Sequence, residues 1–280
     1  MELKELGGTG VMVPEIGLGT WKYRGGVEPL RCGIELGAFL IDTAEMYRTE
    51  DQVGEAVRGR RDRVFIATKV LGSHLRRDQL LRAAENSLRL LNVDCIDLYQ
   101  IHWPNSSVPI KETMGAMESL VDSGQVRYIG VSNFSVRELE EARSAMSKYP
   151  IVSNQVLYNL RQRSIEPDLI PYCQQHHITI IAYTPLADGS LTRSSGHPGG
   201  IRRAAGRVLG REGGTEALQE VADAVGRTPA QVALNWCIAK PNVIAIPKSN
   251  SVERTRENCA ASGWRLSAEQ LRTLDGAFPR

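Results

Sequence analysis

The sequence predicts an α/β fold, namely a (β/α)8 or TIM barrel with an N-terminal β-hairpin. Short apolar segments rich in β-branched residues alternate along the chain with longer segments of helical periodicity, which is typical of parallel strands covered by helices. The chain has 280 residues, of which 42% are hydrophobic, so it is long enough to form one such barrel. We therefore expect residues 1–280 to form a single domain.

The first expected element is a hairpin over Leu3–Val13, because Gly7-Gly8-Thr9-Gly10 separates two short apolar runs. We expect this hairpin to plug one end of the barrel. The eight strand candidates that follow are mostly continuous apolar runs, as strands buried on both faces should be. They are Ile16–Thr20, Phe39–Thr43, Val64–Val70, Ile96–His102, Val126–Val131, Ser153–Val156, Thr179–Thr184 and Val243–Lys248.

Helix candidates lie between these strands, near residues 27–36, 49–59, 77–91, 111–123, 136–147, 167–176, 228–240 and 251–258. Ser135 precedes one of them and Thr228-Pro229 opens another, and both patterns favour a helix start. A terminal helix is expected over Ser267–Phe278. Ala187–Gly214 breaks the alternation with eight glycines and five arginines, so we interpret it as one long loop.

Composition and charge argue against several classes of protein. The chain has 34 basic and 32 acidic residues, a formal charge of +2, which lacks the basic excess of a dedicated nucleic-acid binder. No run approaches the roughly 18 apolar residues of a membrane span, and the N-terminus has no apolar signal core. The five cysteines are scattered, which fits a reducing cytoplasm. We expect a cytoplasmic protein that is a monomer, with an oligomer as the alternative.

Polar residues follow three neighbouring strand candidates, at the end where barrel active sites form. Asp42, Lys69 and His102 each end an apolar run, and Tyr47 follows Asp42 by five residues in the next loop. A phenol has a pKa of about 10 and releases its proton more readily beside a cation. Lys69 is suited to be that cation, Asp42 to hold Lys69 charged, and His102 to orient a substrate oxygen.

This set suits the protonation of a carbonyl oxygen by Tyr47, and a hydride donor is the missing part. Taken singly, an acid and a lysine at strand ends are often a structural ion pair, and a lone tyrosine is often packing. The joint order Asp42, Tyr47, Lys69, His102 favours catalysis. No metal is expected, because metal-ligand spacing is missing around the other histidines, His74, His176, His177 and His197.

Three segments carry a resemblance to a known family. They are Asp42-Thr43-Ala44-Glu45-Met46-Tyr47, Ile66-Ala67-Thr68-Lys69 and Asp97-Leu98-Tyr99-Gln100-Ile101-His102-Trp103-Pro104. In order and spacing they are similar to the signature segments of the aldo-keto reductases, and the similarity extends from Gly17 to Asn258. The resemblance implies NADPH-dependent reduction of an aldehyde or ketone to an alcohol, with Asp42, Tyr47, Lys69 and His102 as the catalytic tetrad.

The residues themselves indicate the cofactor site less clearly. Neither a Rossmann glycine motif nor a P-loop is present. Lys248-Ser249 ends the last strand candidate, and Arg254, Glu257 and Asn258 follow at helical spacing, a set suited to a phosphate. A solvated charged face is the alternative. The resemblance assigns this segment to the adenosine 2′-phosphate of NADPH.

Further contacts follow from the resemblance alone. It implies that Ser132, Asn133 and Gln155 hold the nicotinamide carboxamide and that Tyr183 stacks on the nicotinamide ring. It also assigns to the cofactor site the residues Thr20, Trp21, Thr184 and Leu186. The residues expected to line the pocket of a small carbonyl substrate are Trp21, Tyr47, His102 and Trp103.

The chain departs from the family after Tyr47, where Arg48-Thr49-Glu50-Asp51 replaces the common glycine and glutamate pair. Arg48 would favour anionic substrates if it faced the pocket, and a surface position is the alternative. We expect the loop Ala187–Gly214 to close over bound NADPH, with a plain surface insertion as the alternative. The arginines that would face the cofactor pyrophosphate are Arg193, Arg202, Arg203 and Arg207.

Two other functions are weighed against the reductase. One is an NADPH-binding regulatory protein on the same fold, similar to the potassium-channel β subunits, although an intact tetrad argues against it. The other is a barrel lyase or isomerase in which Lys69 forms a Schiff base with the substrate. The physiological substrate and the stereochemical preference are not readable from the sequence.

Overall fold

The computed structural model describes residues 1–192 and 211–280. The chain begins with the predicted hairpin, in which β1 (Leu3–Glu5) pairs antiparallel with β2 (Met12–Pro14). Leu6 and Val13 are fully buried against the barrel interior, and the Lys4 ammonium donates hydrogen bonds to three backbone carbonyls of the last barrel unit. The hairpin therefore closes the amino end of the barrel, as expected.

Eight parallel strands follow and pair in sequence order. They are β3 (Leu18–Gly19), β4 (Leu40–Asp42), β5 (Phe65–Val70), β6 (Ile96–Ile101), β7 (Val126–Ser132), β8 (Ile151–Leu157), β9 (Thr179–Tyr183) and β10 (Val243–Ala245). Parallel bridges join Ile16 to Ala245 and Gly19 to Lys248, so the last strand lies beside the first. The (β/α)8 barrel predicted from the sequence is confirmed.

Closure of the barrel depends on a glycine in the first strand. A Cβ atom at Gly19 would lie 2.6 Å from the backbone oxygen of Ile246, which is closer than Cβ atoms come to other atoms in proteins. The backbones of β3 and of the segment after β10 can therefore approach each other only without a side chain at this position.

The helices of the described chain cover the outside of the barrel. They are α1 (Glu28–Glu35), α2 (Glu50–Val57), α3 (Arg77–Leu91), α4 (Ile110–Asp122), α5 (Val136–Ala145), α6 (Leu169–Gln175), α7 (Arg211–Val225), α8 (Pro229–Ile238), α9 (Val252–Cys259) and α10 (Ala268–Ala277). Ser135 and Thr228 form capping boxes at the starts of α5 and α8, as their sequence patterns predicted.

The sequence interpretation was wrong about the end of the loop Ala187–Gly214. The chain forms a short 3₁₀ turn at Ala187–Gly189, and α7 begins at Arg211, inside the range taken as loop. A Cβ at Gly214 would lie 2.7 Å from the Phe278 ring, so this glycine lets the first turn of α7 pack against the C-terminus. The four arginines of the lid hypothesis lie outside the described residues.

A buried ion pair anchors the C-terminus to the loop after β8. The Arg163 guanidinium binds both carboxylate oxygens of Glu166 at 3.0 and 2.9 Å, and both residues are buried. Arg163 also donates to the backbone oxygen of Phe278 at 2.7 Å, and Arg280 binds Glu166 at 2.8 Å. This network fixes the chain end against the loop at the carboxyl end of β8. No described helix is long and apolar enough to cross a membrane.

Candidate active site

The structure brings the four residues of the expected tetrad together at the carboxyl ends of the strands. Asp42 is the last residue of β4, Lys69 lies near the end of β5, and His102 directly follows β6. The 3₁₀ turn Glu45–Tyr47 carries Tyr47 back over the same end of the barrel. The Lys69 ammonium lies 2.7 Å from an Asp42 carboxylate oxygen and 3.4 Å from the Tyr47 hydroxyl.

Lys69 is held as a cation in the barrel interior. Its side chain is fully buried, and it donates to Asp42 Oδ1 and, at 2.8 Å, to the backbone oxygen of Thr43. Burial alone would lower the pKa of Lys69, but the nearby Asp42 carboxylate and the Tyr47 hydroxyl outweigh that cost, so the pKa of Lys69 is raised. The site therefore contains a fixed positive charge beside the Tyr47 hydroxyl.

The environment of Tyr47 combines two opposing effects. Burial raises the pKa of the phenol, and the Lys69 ammonium opposes this by favouring the phenolate. The sequence analysis anticipated the direction of the effect of Lys69 but not the larger effect of burial. The Lys69 nitrogen also lies 4.8 Å from the centre of the Tyr47 ring. As a result Tyr47 keeps its proton at neutral pH. The Lys69 ammonium lies beside the phenol oxygen, where negative charge would develop if that proton were lost.

His102 is a neutral imidazole in this site. It is 3% exposed, and burial together with the nearby Lys69 charge lowers its pKa to about 3. Its ring stacks on Trp103 at 3.8 Å and meets the edge of Tyr47 at 5.4 Å between centroids. The Nδ1 atom is buried without a hydrogen-bond partner among the described residues. A neutral imidazole has one N–H to donate to a ligand oxygen.

Two exposed indoles form the walls of the mouth above Tyr47. Trp21 is 42% exposed and Trp103 is 39% exposed, although large apolar side chains elsewhere in the described chain are mostly buried. Trp21 lies 4.9 Å from the Tyr47 ring centre. Arg48 is exposed and has a left-handed backbone conformation with φ 56°, which is strained for a residue with a side chain.

The residues assigned by resemblance to the nicotinamide also lie together. Asn133, in a left-handed conformation with φ 62°, donates to the backbone oxygen of His102 at 3.1 Å and accepts from the Tyr183 hydroxyl at 3.0 Å. Ser132 donates to the backbone oxygen of Gln155 at 2.8 Å. The Asn133 amide thus connects the histidine segment to the Tyr183 ring, which remains half-buried at the end of β9.

The other assigned cofactor residues differ in accessibility. Thr20 is fully buried and donates to the backbone oxygen of Asp42 at 2.9 Å. Thr184 has a left-handed backbone with φ 52°, and its carbonyl accepts from Asn159 at 3.0 Å. Leu186 is partly buried against the core. Thr20 is therefore placed to support Asp42 from behind rather than to face a ligand.

A cluster of cations surrounds Lys248, where the adenosine phosphate is expected. The pKa of Lys248 is lowered, first by burial and then by repulsion from Arg254, Arg24 and Lys22, while Asp188 opposes the shift. The sequence analysis named Lys248 and Arg254 but missed Lys22 and Arg24, which come from the loop after β3. Only the fold brings that loop here, where the Arg24 amide donates to the side chain of Asn250 at 3.0 Å.

The rest of the expected phosphate segment surrounds the start of α9. Ser249 donates to the backbone oxygen of Ser251, and Ser251 caps the helix by accepting from the Arg254 amide at 3.3 Å. Arg254 is exposed, Glu257 is half-buried and Asn258 is buried, so the three do not share one solvent-facing surface. Within the described chain no group of histidine, cysteine and acidic side chains is arranged to hold a metal.

Comparisons with known proteins identify relatives of this chain and structures with the same fold. A model of the aldo/keto reductase family matches residues 15–278. Methylglyoxal reductase YeaE of Escherichia coli is 39% identical, over 96% of this chain and 92% of its own length. A thermostable aldo-keto reductase crystallised with the inhibitor epalrestat has a TM-score of 0.87 and 42% identity, covering 99% of this chain and 100% of that one. The aldo-keto reductase of Klebsiella pneumoniae, crystallised with NADPH, has a TM-score of 0.86 and 39% identity, covering 100% and 96%.

Proposed function

The chain belongs to the aldo/keto reductase family, and from that membership we propose that it reduces aldehydes or ketones to alcohols with NADPH, using Tyr47 as the proton donor. One observation carries the proposal. The buried Lys69 ammonium lies between the Asp42 carboxylate at 2.7 Å and the Tyr47 hydroxyl at 3.4 Å. We further propose that residues 1–280 act as one domain, as a monomer in the cytoplasm.

Tyr47 acts as general acid because its surroundings favour the protonated phenol before the reaction and the phenolate as the proton leaves. Burial keeps the phenol protonated before reaction, and the Lys69 charge stabilises the phenolate as the proton leaves for the substrate oxygen. Asp42 keeps Lys69 charged and in place. Neutral His102 donates a hydrogen bond that orients the carbonyl oxygen without adding a competing cation.

The chain offers residues for both ends of NADPH, which supplies the hydride when it is bound. Asn133, Gln155 and Ser132 would hold the carboxamide, and the half-buried Tyr183 would stack on the nicotinamide ring. The cations around Lys248 repel one another, and a bound phosphate would relieve that repulsion. The residues proposed for the adenosine and remaining contacts are Trp21, Thr184, Leu186, Lys248, Ser249, Arg254, Glu257 and Asn258. Thr20, expected in this set from the sequence, is instead proposed to support Asp42 through its hydrogen bond to the Asp42 backbone oxygen.

Small carbonyl compounds are the proposed substrates. Trp21 and Trp103 provide apolar walls beside Tyr47 and His102, and their indole N–H groups can meet a substrate oxygen. Because a similar protein is a methylglyoxal reductase, we propose that α-oxoaldehydes are among the carbonyl compounds accepted.

The proposal is tested by the rate at which NADPH absorbance is lost with methylglyoxal, an aromatic aldehyde and a simple ketone. Tyr47→Phe removes only the transferable proton, so turnover should fall by on the order of a hundredfold or more while NADPH binding is kept. Tyr128→Phe is the matched control, because Tyr128 packs on Phe65 away from this site. Parental turnover in Tyr47→Phe would refute the assignment.

Borohydride trapping on the parent protein tests the alternative in which Lys69 forms a Schiff base with the substrate. A Schiff base requires a neutral amine, and the raised pKa of Lys69 argues against one. We therefore expect that borohydride treatment with a carbonyl substrate adds no substrate mass to the peptide that contains Lys69, although exposed lysines elsewhere react. A stable substrate adduct on Lys69 would favour the lyase over the reductase.

A further inference from the structure

The barrel interior beneath the site contains a polar side chain to which the proposed function assigns no role. Gln100 on β6 is fully buried. Its Nε2 donates to Asp42 Oδ2 at 3.4 Å, and its Oε1 accepts from Gln155 Nε2 at 3.5 Å. Gln155 Nε2 donates to the same Asp42 oxygen at 2.7 Å. The three side chains therefore close a ring of hydrogen bonds on the Asp42 oxygen that does not bind Lys69.

This ring determines which end of the Gln155 amide faces inward. A carboxylate oxygen only accepts hydrogen bonds, so the NH2 group of Gln155 must face Asp42. Its two N–H groups are then directed to Asp42 and Gln100. Among the described residues no hydrogen bond is made to Gln155 Oε1. An oriented acceptor is thus left for a ligand that carries a donor.

The cost of burying the Gln100 amide has to be offset by hydrogen bonds. Burying an amide is unfavourable unless its polar atoms are hydrogen-bonded. Gly130 leaves room for the side chain, since a Cβ there would lie 3.0 Å from Gln100 Cγ and 2.4 Å from Ser153 Oγ. Within the described chain the hydrogen bonds of the Gln100 side chain go to Asp42 and Gln155, which both belong to the proposed site. This arrangement suits a positioning role better than a packing role.

We propose that Gln100 is a positioning residue for the cofactor. Together with Asp42 it holds the NH2 end of Gln155 inward, so that Gln155 Oε1 faces the NH2 group of the nicotinamide carboxamide. The inference rests on the proposed function, because it requires a nicotinamide cofactor. Gln100 acts through Gln155, so it affects the nicotinamide half of the cofactor and leaves the adenosine half unaffected.

The test compares two ligands in Gln100→Met, which keeps an unbranched chain of similar size and removes the amide. NADP⁺ carries the carboxamide, whereas adenosine 2′,5′-bisphosphate carries the adenosine phosphates without nicotinamide. By calorimetry, NADP⁺ should bind about threefold to tenfold more weakly than to the parent, up to about 1.4 kcal/mol. The bisphosphate should bind with unchanged affinity. Unchanged NADP⁺ binding, or equal losses for both ligands, would overturn the proposal.

Ser153→Ala is the matched control, since Ser153 lies on the other side of Gly130 and its buried hydroxyl has no hydrogen-bond partner in the described structure. It should change neither affinity. An equal loss of NADP⁺ affinity in this control would assign the effect to barrel packing and overturn the role of Gln100.

The parent protein provides a second test that needs no variant to fold. In the 3-acetylpyridine analogue of NADP⁺ a methyl group replaces the carboxamide NH2, so the donor to Gln155 is lost. The parent should bind this analogue about tenfold more weakly than NADP⁺. Equal affinities would overturn the proposed orientation of Gln155. If the parent bound neither NADP⁺ nor the bisphosphate, the proposed function itself would fail, a result distinct from a failure confined to Gln100.

Discussion

The buried pair Lys69–Asp42 allows charge and packing to be separated by experiment. Its nitrogen and oxygen lie 2.7 Å apart, and the two side chains are 0% and 2% exposed. Lys69→Met keeps most of the aliphatic chain and removes the charge, which leaves the Asp42 carboxylate buried without its cation. Removing one partner of such a pair costs about 3–5 kcal/mol of the free energy of unfolding. We expect Lys69→Met to fall in that range.

A second substitution should restore most of that loss. Asp42→Asn keeps the shape of the side chain and removes the unpaired charge, so the double variant should be more stable than Lys69→Met by about 2 kcal/mol or more. Neither variant should reduce carbonyl compounds, because in both Tyr47 has lost the cation that favours its phenolate.

Urea unfolding followed by tryptophan fluorescence measures the stability of parent, single and double variants by linear extrapolation. Loss of NADPH absorbance measures activity on the same samples. The reasoning would be refuted by a Lys69→Met variant that loses less than about 1 kcal/mol, or by a double variant no more stable than the single one. Full activity in the double variant would show that Lys69 does not act on Tyr47.

Three further predictions follow from other parts of the molecule. Arg254→Ala should weaken NADPH binding about tenfold or more and leave NADH binding nearly unchanged in fluorescence titrations, and equal losses would indicate a folding defect. Because the pKa of His102 is about 3 in the fold and 6.5 for the exposed group, the unfolded state binds more protons between these values. Stability should therefore fall as pH is lowered through this window, by at most about 1.4 kcal/mol per pH unit, and His102→Gln should flatten that slope in urea titrations. Glu166→Gln should cost about 2 kcal/mol in urea unfolding, because the buried Arg163 loses its bidentate partner and keeps only the half-exposed Asp275 as a counter-charge. Glu141→Gln, in an exposed pair, should change stability by less than about 0.5 kcal/mol.

The sequence was sufficient to predict the properties that depend on residues close together in the chain. Asp42, Lys69 and His102 each end a continuous apolar run, and parallel strands of one barrel must end at the same side, so their meeting was predictable. The caps at Ser135 and Thr228 are local in the same way, because each bonds an amide three residues ahead. The barrel and its hairpin were predicted correctly for the same reason, since the alternation of element types is itself a short-range pattern.

Other properties depend on residues that only the fold brings together. The ring on Asp42 joins residues 58 and 113 positions away, so nothing in the sequence near Gln100 indicates its partners. Whether the pKa of Tyr47 is raised or lowered depends on how completely the site excludes water, and the spacing of residues in the sequence does not indicate this. Gly214 was taken for a loop residue because the sequence around it gives no reason for a glycine in a helix. The reason is the Phe278 ring, 64 residues further along the chain, which leaves no room for a side chain. Local patterns thus determined which side chains reach the carboxyl end of the barrel, and tertiary contacts decided their charge, their orientation and their supporting partners.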